Sequence, residues 1–488
     1  MKVELAGYNF DAEIIRELVE KSGWNQDNIT PETLSSSYAR ISRDPRDISK
    51  IRESARCKTD KARRSNRRII FGMGHSSVAE HAVFNIDIMN ISRIAVEKIQ
   101  DFRFASFTEK SQRYIKLNND FVIPSEISGS GFYDEFRSVI ELQNNVYNSL
   151  CSMIKDMMLK EAGKNIHKEK KAFIEGRARE DSRYVLSLAT HSQFGMTVNA
   201  RSLEQMICYF AADRLSEVRE LGKKLYDVVK SRAPSLIKYV EPSPYILEAH
   251  ENLKSEAETI CDSNIAGKES EKTVKLIDFT ENADEKVCAA LLFEVSGLNM
   301  ECCMEKAFRM DDNEKFQLLA SVFEHREMWD KMTRHFELPV FTFELILSAT
   351  NYAQMKRHRI STQIKKSYNP ELGVTLPESI KKAGGEHKFK EVIEKTEEFY
   401  GKLMKIFPHV ASYVLTNAHR RRILLTLNLR ELYHLSSLRE DEHAQWDIRN
   451  TALQMRKLVQ EKAPLSAIMM CGKSSFYERK KDILSSNS

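Results

Sequence analysis

Apolar residues recur at three- and four-residue steps through two long stretches, Leu203 to Val229 and Leu429 to Val459, and this period predicts long amphipathic helices. Two shorter runs rich in β-branched and aromatic residues, Phe121-Val122-Ile123-Pro124 and Val340 to Leu347, read as strands. A β-rich start, Val3-Glu4-Leu5, has a later counterpart in Val274-Lys275-Leu276-Ile277. Between them, from about Pro234 to Lys272, the chain carries Pro242-Ser243-Pro244 and then a polar stretch from Ser263 to Glu271 with Gly267, the pattern of a connection. The expected architecture is α+β, built twice: residues 1–240 form a first domain, 241–271 a linker and 272–488 a second domain.

An internal repeat supports that division. Phe84-Asn85-Ile86 stands 257 positions before Phe341-Thr342-Phe343, and Arg103 and Ser111 stand 256 before Arg359 and Ser367. Asn199-Ala200-Arg201-Ser202-Leu203 stands 229 before Asn428-Leu429-Arg430-Glu431-Leu432. The order of landmarks is kept while the second copy is shorter, so tandem duplication is the simplest account.

Composition narrows the class. With 42% hydrophobic and 30% charged residues the chain is globular, and its 488 residues suffice for two cores. No apolar run approaches the roughly 20 residues that span a bilayer, and Met1-Lys2-Val3-Glu4 does not begin a secretory signal, so a cytoplasmic protein is expected. The eight cysteines form no C-x-x-C pair and have no histidine at ligand spacing, which predicts reduced, mostly buried thiols and no metal site. A net charge of +5 is too small to argue for nucleic acid. Two basic runs, Lys61 to Arg68 and His419-Arg420-Arg421-Arg422, read either as phosphate-holding clusters or as solvated faces.

Four constellations could carry chemistry. In Gly74-His75-Ser76-Ser77-Val78-Ala79-Glu80-His81, His75 and Glu80 could address a polar heterocycle or serve as turn and cap residues. If Glu109-Lys110-Ser111-Gln112-Arg113-Tyr114 is extended, Glu109, Ser111 and Arg113 share one side and suit a nucleotide monophosphate, although a polar edge strand would look the same. On a helix, Gln354 would meet Arg357 and His358, and cations packed as densely as Arg357-His358-Arg359 repel unless an anion sits among them. Finally, Asn428 and Arg439 lie about three turns apart, roughly 16 Å along one helical stripe, which could line an elongated ligand or simply bury Leu429, Leu432, Leu435 and Leu438.

Together these segments resemble the flavin-dependent thymidylate synthases, whose hallmarks are G-H-x-S-x-x-E-H, R-H-R-x-x-S-x-N-E-x-S-x-R-Y and N-L-R-S-L…L-R-x-D-x-H-A-Q-x-E-I-R. Leu438 to Arg449 is the most specific match. The first copy reads Asp101-Phe102-Arg103 for R-H-R but keeps Ser106, Glu109, Ser111, Arg113 and Tyr114. The second keeps Gln354 and Arg357-His358-Arg359 but reads Ile364-Lys365 for N-E and Asn369-Pro370 for R-Y. His75 and Glu80 face Met332 and Glu337 in the second copy, and Arg439 faces the region of Phe210 in the first. Arg183 resembles the arginine of the family's A-R-x-x-L-P run, and His419 to Leu424 is the expected second-copy counterpart.

The resemblance implies FAD as cofactor, with NADPH and methylenetetrahydrofolate as co-substrates in the reductive methylation of deoxyuridine monophosphate. It places Glu109, Ser111, Arg113, Arg183, Gln354, Arg357 and Arg439 at the nucleotide, with Ser111 and Arg439 as the catalytic pair. It places His75, Glu80, Arg357, His358, Arg359, Asn428, Arg430 and His434 at the flavin, and Asn199 and Arg201 as flavin contacts or relics. Because each copy retains what the other has lost, one composite site per chain is expected, in a homodimer that imitates the family's tetramer. Partners beyond nucleotide and folate, whether nucleic acid or membrane, are not expected. A divergent flavoenzyme acting on another pyrimidine nucleotide and a non-catalytic scaffold are the alternatives.

Overall fold

The computed structural model describes residues 1–10, 30–40, 48–72, 75–113, 120–163, 167–261 and 272–485. Gly74, Tyr114 and the whole polar stretch from Ser263 to Glu271 lie outside them. Contacts divide the chain into two units, Met1–Gly267 with Leu376–Thr416, and Lys268–Thr375 with Asn417–Ser488.

The first unit is built on an antiparallel sheet in the order β1-β2-β4-β3, formed by β1 (Lys2–Tyr8), β2 (Val83–Ser92), β3 (Ala105–Glu109) and β4 (His191–Asn199). Strand alternation puts Phe84, Ile86 and Ile88 in the core while Asn85 and Asp87 face outward. Two helices start directly from strand ends, each capped by the last strand residue. Ser92 Oγ accepts from Ala95 N at 3.1 Å to begin α1 (Arg93–Ile99). The helices α2 (Tyr133–Ala162) and α3 (Lys168–Ser182) follow, and then Asn199 Oδ1 accepts from Ser202 N at 2.8 Å to begin α4 (Ala200–Ala211). The helix α5 (Ser216–Val229) returns over the sheet, and Glu217 at its start accepts from Ser92 N, Ser92 Oγ and Tyr413 Oη at 2.8, 2.6 and 2.7 Å.

Tyr413 belongs to a segment of the second repeat that packs in this unit. Its helix Glu386–Ile406 lies on α2, where Gln143 Nε2 donates to Thr396 Oγ1 and to Val414 O, each at 2.8 Å. Leu188 N and Ala189 N donate to Leu415 O and Tyr413 O, and Ser187 bridges Thr416. Ser187 and Thr416 are 229 positions apart, the repeat offset, so the bridge joins a residue to its own counterpart. The same offset makes Ser412 the counterpart of Arg183, which corrects its assignment to His419–Leu424.

The second unit repeats the sheet as β5-β6-β8-β7, from β5 (Val274–Phe279), β6 (Val340–Ser348), β7 (Thr362–Tyr368) and β8 (Arg420–Asn428). Phe341, Phe343, Leu345, Ile423, Leu425 and Leu427 form its buried face. Ser348 caps α6 (Ala349–Met355), Asn428 caps α7 (Leu429–Arg439) and Gln445 caps α8 (Trp446–Gln460). Asp447 accepts from Ser348 Oγ at 2.6 Å and Asn351 Nδ2 at 3.0 Å, repeating the Ser92–Glu217 anchor.

The α+β architecture stands, with several local corrections. Neither apolar stretch is one helix: α4 and α5 are separate, and so are α7 and α8, the last of which is restarted by the side-chain cap of Gln445. Phe121 makes an isolated bridge to Thr190 in place of a strand. Only Cys288 and Cys303 of the eight cysteines are buried, although none is disulfide-bonded. The run His419–Arg422 is spent inside the second sheet, where Arg421 stacks on Tyr352 and Tyr368 and Arg422 pairs with Glu344 at 2.8 Å. Among the described residues, no helix is long and apolar enough to cross a membrane.

Candidate functional site

In the second unit, α6 ends at Met355, and a turn carries the chain through Arg357-His358-Arg359. The turn divides the three side chains: His358 is buried, while Arg357 and Arg359 are exposed. They therefore do not project as the single helical face expected from their spacing. Opposite them stands α7, whose last residue, Arg439, donates from Nε to His358 Nε2 at 3.0 Å and from Nη2 to Gln354 O at 3.1 Å. Gln354 Nε2 reaches the capping oxygen of Gln445 at 3.4 Å. Gln354, His358 and Arg439 are thus one hydrogen-bonded group.

His358 makes a second contact, Nδ1 to Glu431 Oε1 at 3.1 Å. Burial, and then the neighbouring Arg439 charge, push its pKa down to about 3, so the imidazole is neutral and this contact is a hydrogen bond, not an ion pair. Burial raises the Glu431 carboxyl, opposed by His434 and Arg430, and burial lowers His434. His358, Glu431 and His434 bring potential ligand atoms within 4.8 Å of one another. A metal ion on His358 Nδ1 would force the ring proton onto Nε2, against the Arg439 N–H, so the arginine opposes a metal there.

The remaining second-unit residues frame this group. Asn428 Oδ1 is engaged as helix cap to Glu431 N at 2.9 Å, and Arg430 donates to Met332 O at 2.6 Å and Glu337 at 2.8 Å. The first copy repeats the latter pair, with Arg201 donating to Glu80 at 2.5 Å. Such a repeated pair anchors the turn before β2 and β6 in each copy. His75 is exposed at the start of that first-copy turn, and His434 is exposed with its ring centroid 5.8 Å from that of His358.

The first unit gathers cations. Glu109, at the end of β3, accepts from Ser192 Oγ at 3.0 Å and Gln100 Nε2 at 3.3 Å, and Arg93 Nη1 lies 3.8 Å away. Beyond Glu109 the strand stops, and Ser111 Oγ accepts from Arg113 N at 3.2 Å in a turn. Ser111 and Arg113 therefore do not alternate along a strand with Glu109, as the sequence suggested. Arg113 pairs with Glu180, as does Arg177 at 2.6 Å. Arg183 is buried; desolvation lowers its pKa, Glu180 opposes this, and Arg93 and Arg113 add to the lowering. Arg93, Arg113 and Arg183 thus stand close to Glu109 and Glu180, and guanidiniums gathered in this way could hold a phosphate monoester through charge-assisted hydrogen bonds.

The thymidylate synthase complementing protein (Thy1) family matches residues 26–235 and again 275–465. The chain belongs to this family. It carries the family's domain twice. It is 26% identical over 412 residues to a "UPF0159 protein" of Chlamydia muridarum, covering 80% of this chain and 78% of that one. It is 24% identical over 437 residues to "UPF0159 protein Ta1429" of Thermoplasma acidophilum, covering 80% and 84%. A flavin-dependent thymidylate synthase of Clostridium tetani is 31% identical over 178 residues, 36% of this chain and 69% of its own. Relatives of this Thy1 chain thus include proteins matched over most of its length and others matched over about one copy.

Two residues of the groups were not singled out by the sequence. Arg93 is buried, its Nε lacks a hydrogen-bond partner, and its second-copy counterpart, 256 positions later, is Ala349. Glu431 stands where the family pattern N-L-R-S-L has serine. The signal for both was there: each is a charged residue in one copy facing a small neutral one in the other.

Proposed function

We propose that this Thy1 protein is a flavin-dependent thymidylate synthase, methylating deoxyuridine monophosphate at C5 with methylenetetrahydrofolate and NADPH. What supports this reading is that the two copies carry different parts of the family's motifs. The first holds the buried Arg93 and Arg183 and the half-buried Arg113 with Glu109. The second holds the Gln354–His358–Arg439 group. Drift without function would erode both copies at some of these positions.

In this reading Arg113 and Arg183, with Ser111, bind the phosphate through charge-assisted hydrogen bonds, and Glu109 orients the nucleotide. Arg439, fixed by His358 and Gln354, and Arg357 present guanidiniums to the same nucleotide in a composite site of a homodimer. The exposed Arg357 and Arg359, with His75, Asn428, Arg430 and His434, fit FAD by their chemistry, since guanidiniums and amide donors suit a pyrophosphate and an isoalloxazine edge. FAD, when bound and reduced by NADPH, supplies the reducing equivalents that turn the folate's one-carbon unit into a methyl group. The protein's own contribution is to bind, orient and desolvate the base. A second reading, modification of another pyrimidine nucleotide, uses the same phosphate and flavin groups and differs only in the base. The absorption spectrum of purified protein tests the shared premise: a colourless protein that binds no FAD in calorimetry contradicts both readings.

A further inference from the structure

We propose that Glu431 is a positioning residue that holds Arg439 through the tautomer of His358, a role resting on the reading of Arg439 as a nucleotide-binding group. Arg439 Nε always carries a proton, so at 3.0 Å the facing His358 Nε2 must be the bare, accepting nitrogen. With His358 neutral, the single ring proton then sits on Nδ1, and the atom that receives it is Glu431 Oε1 at 3.1 Å. Both His358 and Glu431 are buried, so water does not substitute for this acceptor. Without it, either a buried Nδ1–H is left unpaired or the proton moves to Nε2 and confronts the arginine N–H.

The repeat provides an internal control. The first-copy counterparts of His358 and Arg439 are Phe102 and Phe210, whose rings meet edge to face at 5.7 Å. The counterpart of Glu431 is Ser202. Where the histidine–arginine bond is replaced by an aromatic contact, the carboxylate is absent too. Helix capping does not explain Glu431, because Asn428 receives Glu431 N and Asn199 receives Ser202 N in the same way at 2.9 and 2.8 Å. The side chain is present in the copy that has a His358 to orient.

The test uses the full-length protein and two readouts. In protein labelled with 15N-histidine, with the His358 signal assigned by its loss in His358→Phe, the wild type should show a protonated Nδ1 and a bare Nε2. Glu431→Gln, which retains an acceptor oxygen, should keep that signature, and Glu431→Ala should lose it. Glu431→Ser, carrying the first copy's residue, replaces the alanine variant if that one does not fold. In calorimetry, Glu431→Ala should weaken deoxyuridine monophosphate binding by about tenfold, Glu431→Gln by less than about twofold, and Glu431→Ala should add nothing in an Arg439→Ala background. An unchanged tautomer in Glu431→Ala, or equal weakening with and without Arg439, overturns the proposal. A wild type that fails to bind the nucleotide overturns the functional reading instead, while the tautomer still decides the role of Glu431.

Discussion

Acidification should destabilise the second unit through His358. Its ordinary pKa near 6.5 falls to about 3 in the folded chain, since burial and Arg439 disfavour the imidazolium. Below pH 6.5 the unfolded chain binds a proton that the folded chain refuses, so the stability from neutral His358 is complete above that pH and declines towards pH 3. Linkage gives a loss of about 2 kcal/mol between pH 7 and pH 5. Glu431 acts in the opposite sense: its raised pKa makes the folded chain hold a proton more firmly, a contribution lost as pH rises. Comparison with His358→Gln, which does not titrate, separates the two. Urea unfolding can be followed by the fluorescence of Trp329 and Trp446, both in this unit. The variant should be less stable at pH 7, and the gap should narrow by about 2 kcal/mol at pH 5. Parallel pH dependences would refute a neutral, buried His358.

Three further outcomes follow from the geometry. A Cβ at Gly472 would lie 2.7 Å from Asp441 N and from Glu440 C, backbone that cannot step aside, so Gly472→Ala should cost roughly 1–3 kcal/mol in a thermal melt; an unchanged Tm would show that the turn after Arg439 is not packed this way. Arg113→Ala and Arg93→Gln should each weaken deoxyuridine monophosphate binding by about tenfold or more while sparing deoxyuridine, and Arg103→Ala should do neither; equal effects on nucleotide and nucleoside would remove the phosphate from this cluster. Flavin released by denaturation should approach one per chain, with light scattering at twice 56.4 kDa; two flavins per chain, or an active monomer, would contradict a composite site.

The duplicated α+β plan was legible because its signals are local: β-rich starts marked β1 and β5, β-branched and aromatic residues marked β6, and apolar periodicity marked the helical stretches of α4, α5, α7 and α8. The break between α7 and α8 escaped the periodicity, because Gln445 restarts the helix by a side-chain hydrogen bond while the apolar spacing runs on. Packing of Glu386–Ile406 on α2 is a long-range choice, fixed by Gln143 meeting Thr396, and no local pattern announces it. Among the residues of the two hydrogen-bonded and charged groups, the motifs singled out Gln354, His358, Arg439, Arg113 and Arg183. They gave no hint that His358 turns inward while Arg357 and Arg359 turn out, since that depends on the helix ending at Met355. The same limit applied to Ser111, whose hydroxyl ends the extended run that spacing alone suggested.

The most direct test of the proposed chemistry is tritium release from deoxyuridine monophosphate labelled at C5, incubated with the protein, FAD, NADPH and methylenetetrahydrofolate. Replacement of the C5 hydrogen by a methyl group frees tritium into water in step with thymidylate formed, and this account predicts release that depends on both co-substrates and is lost in Arg439→Ala. Flavin-loaded protein that binds the nucleotide and releases no tritium would contradict it.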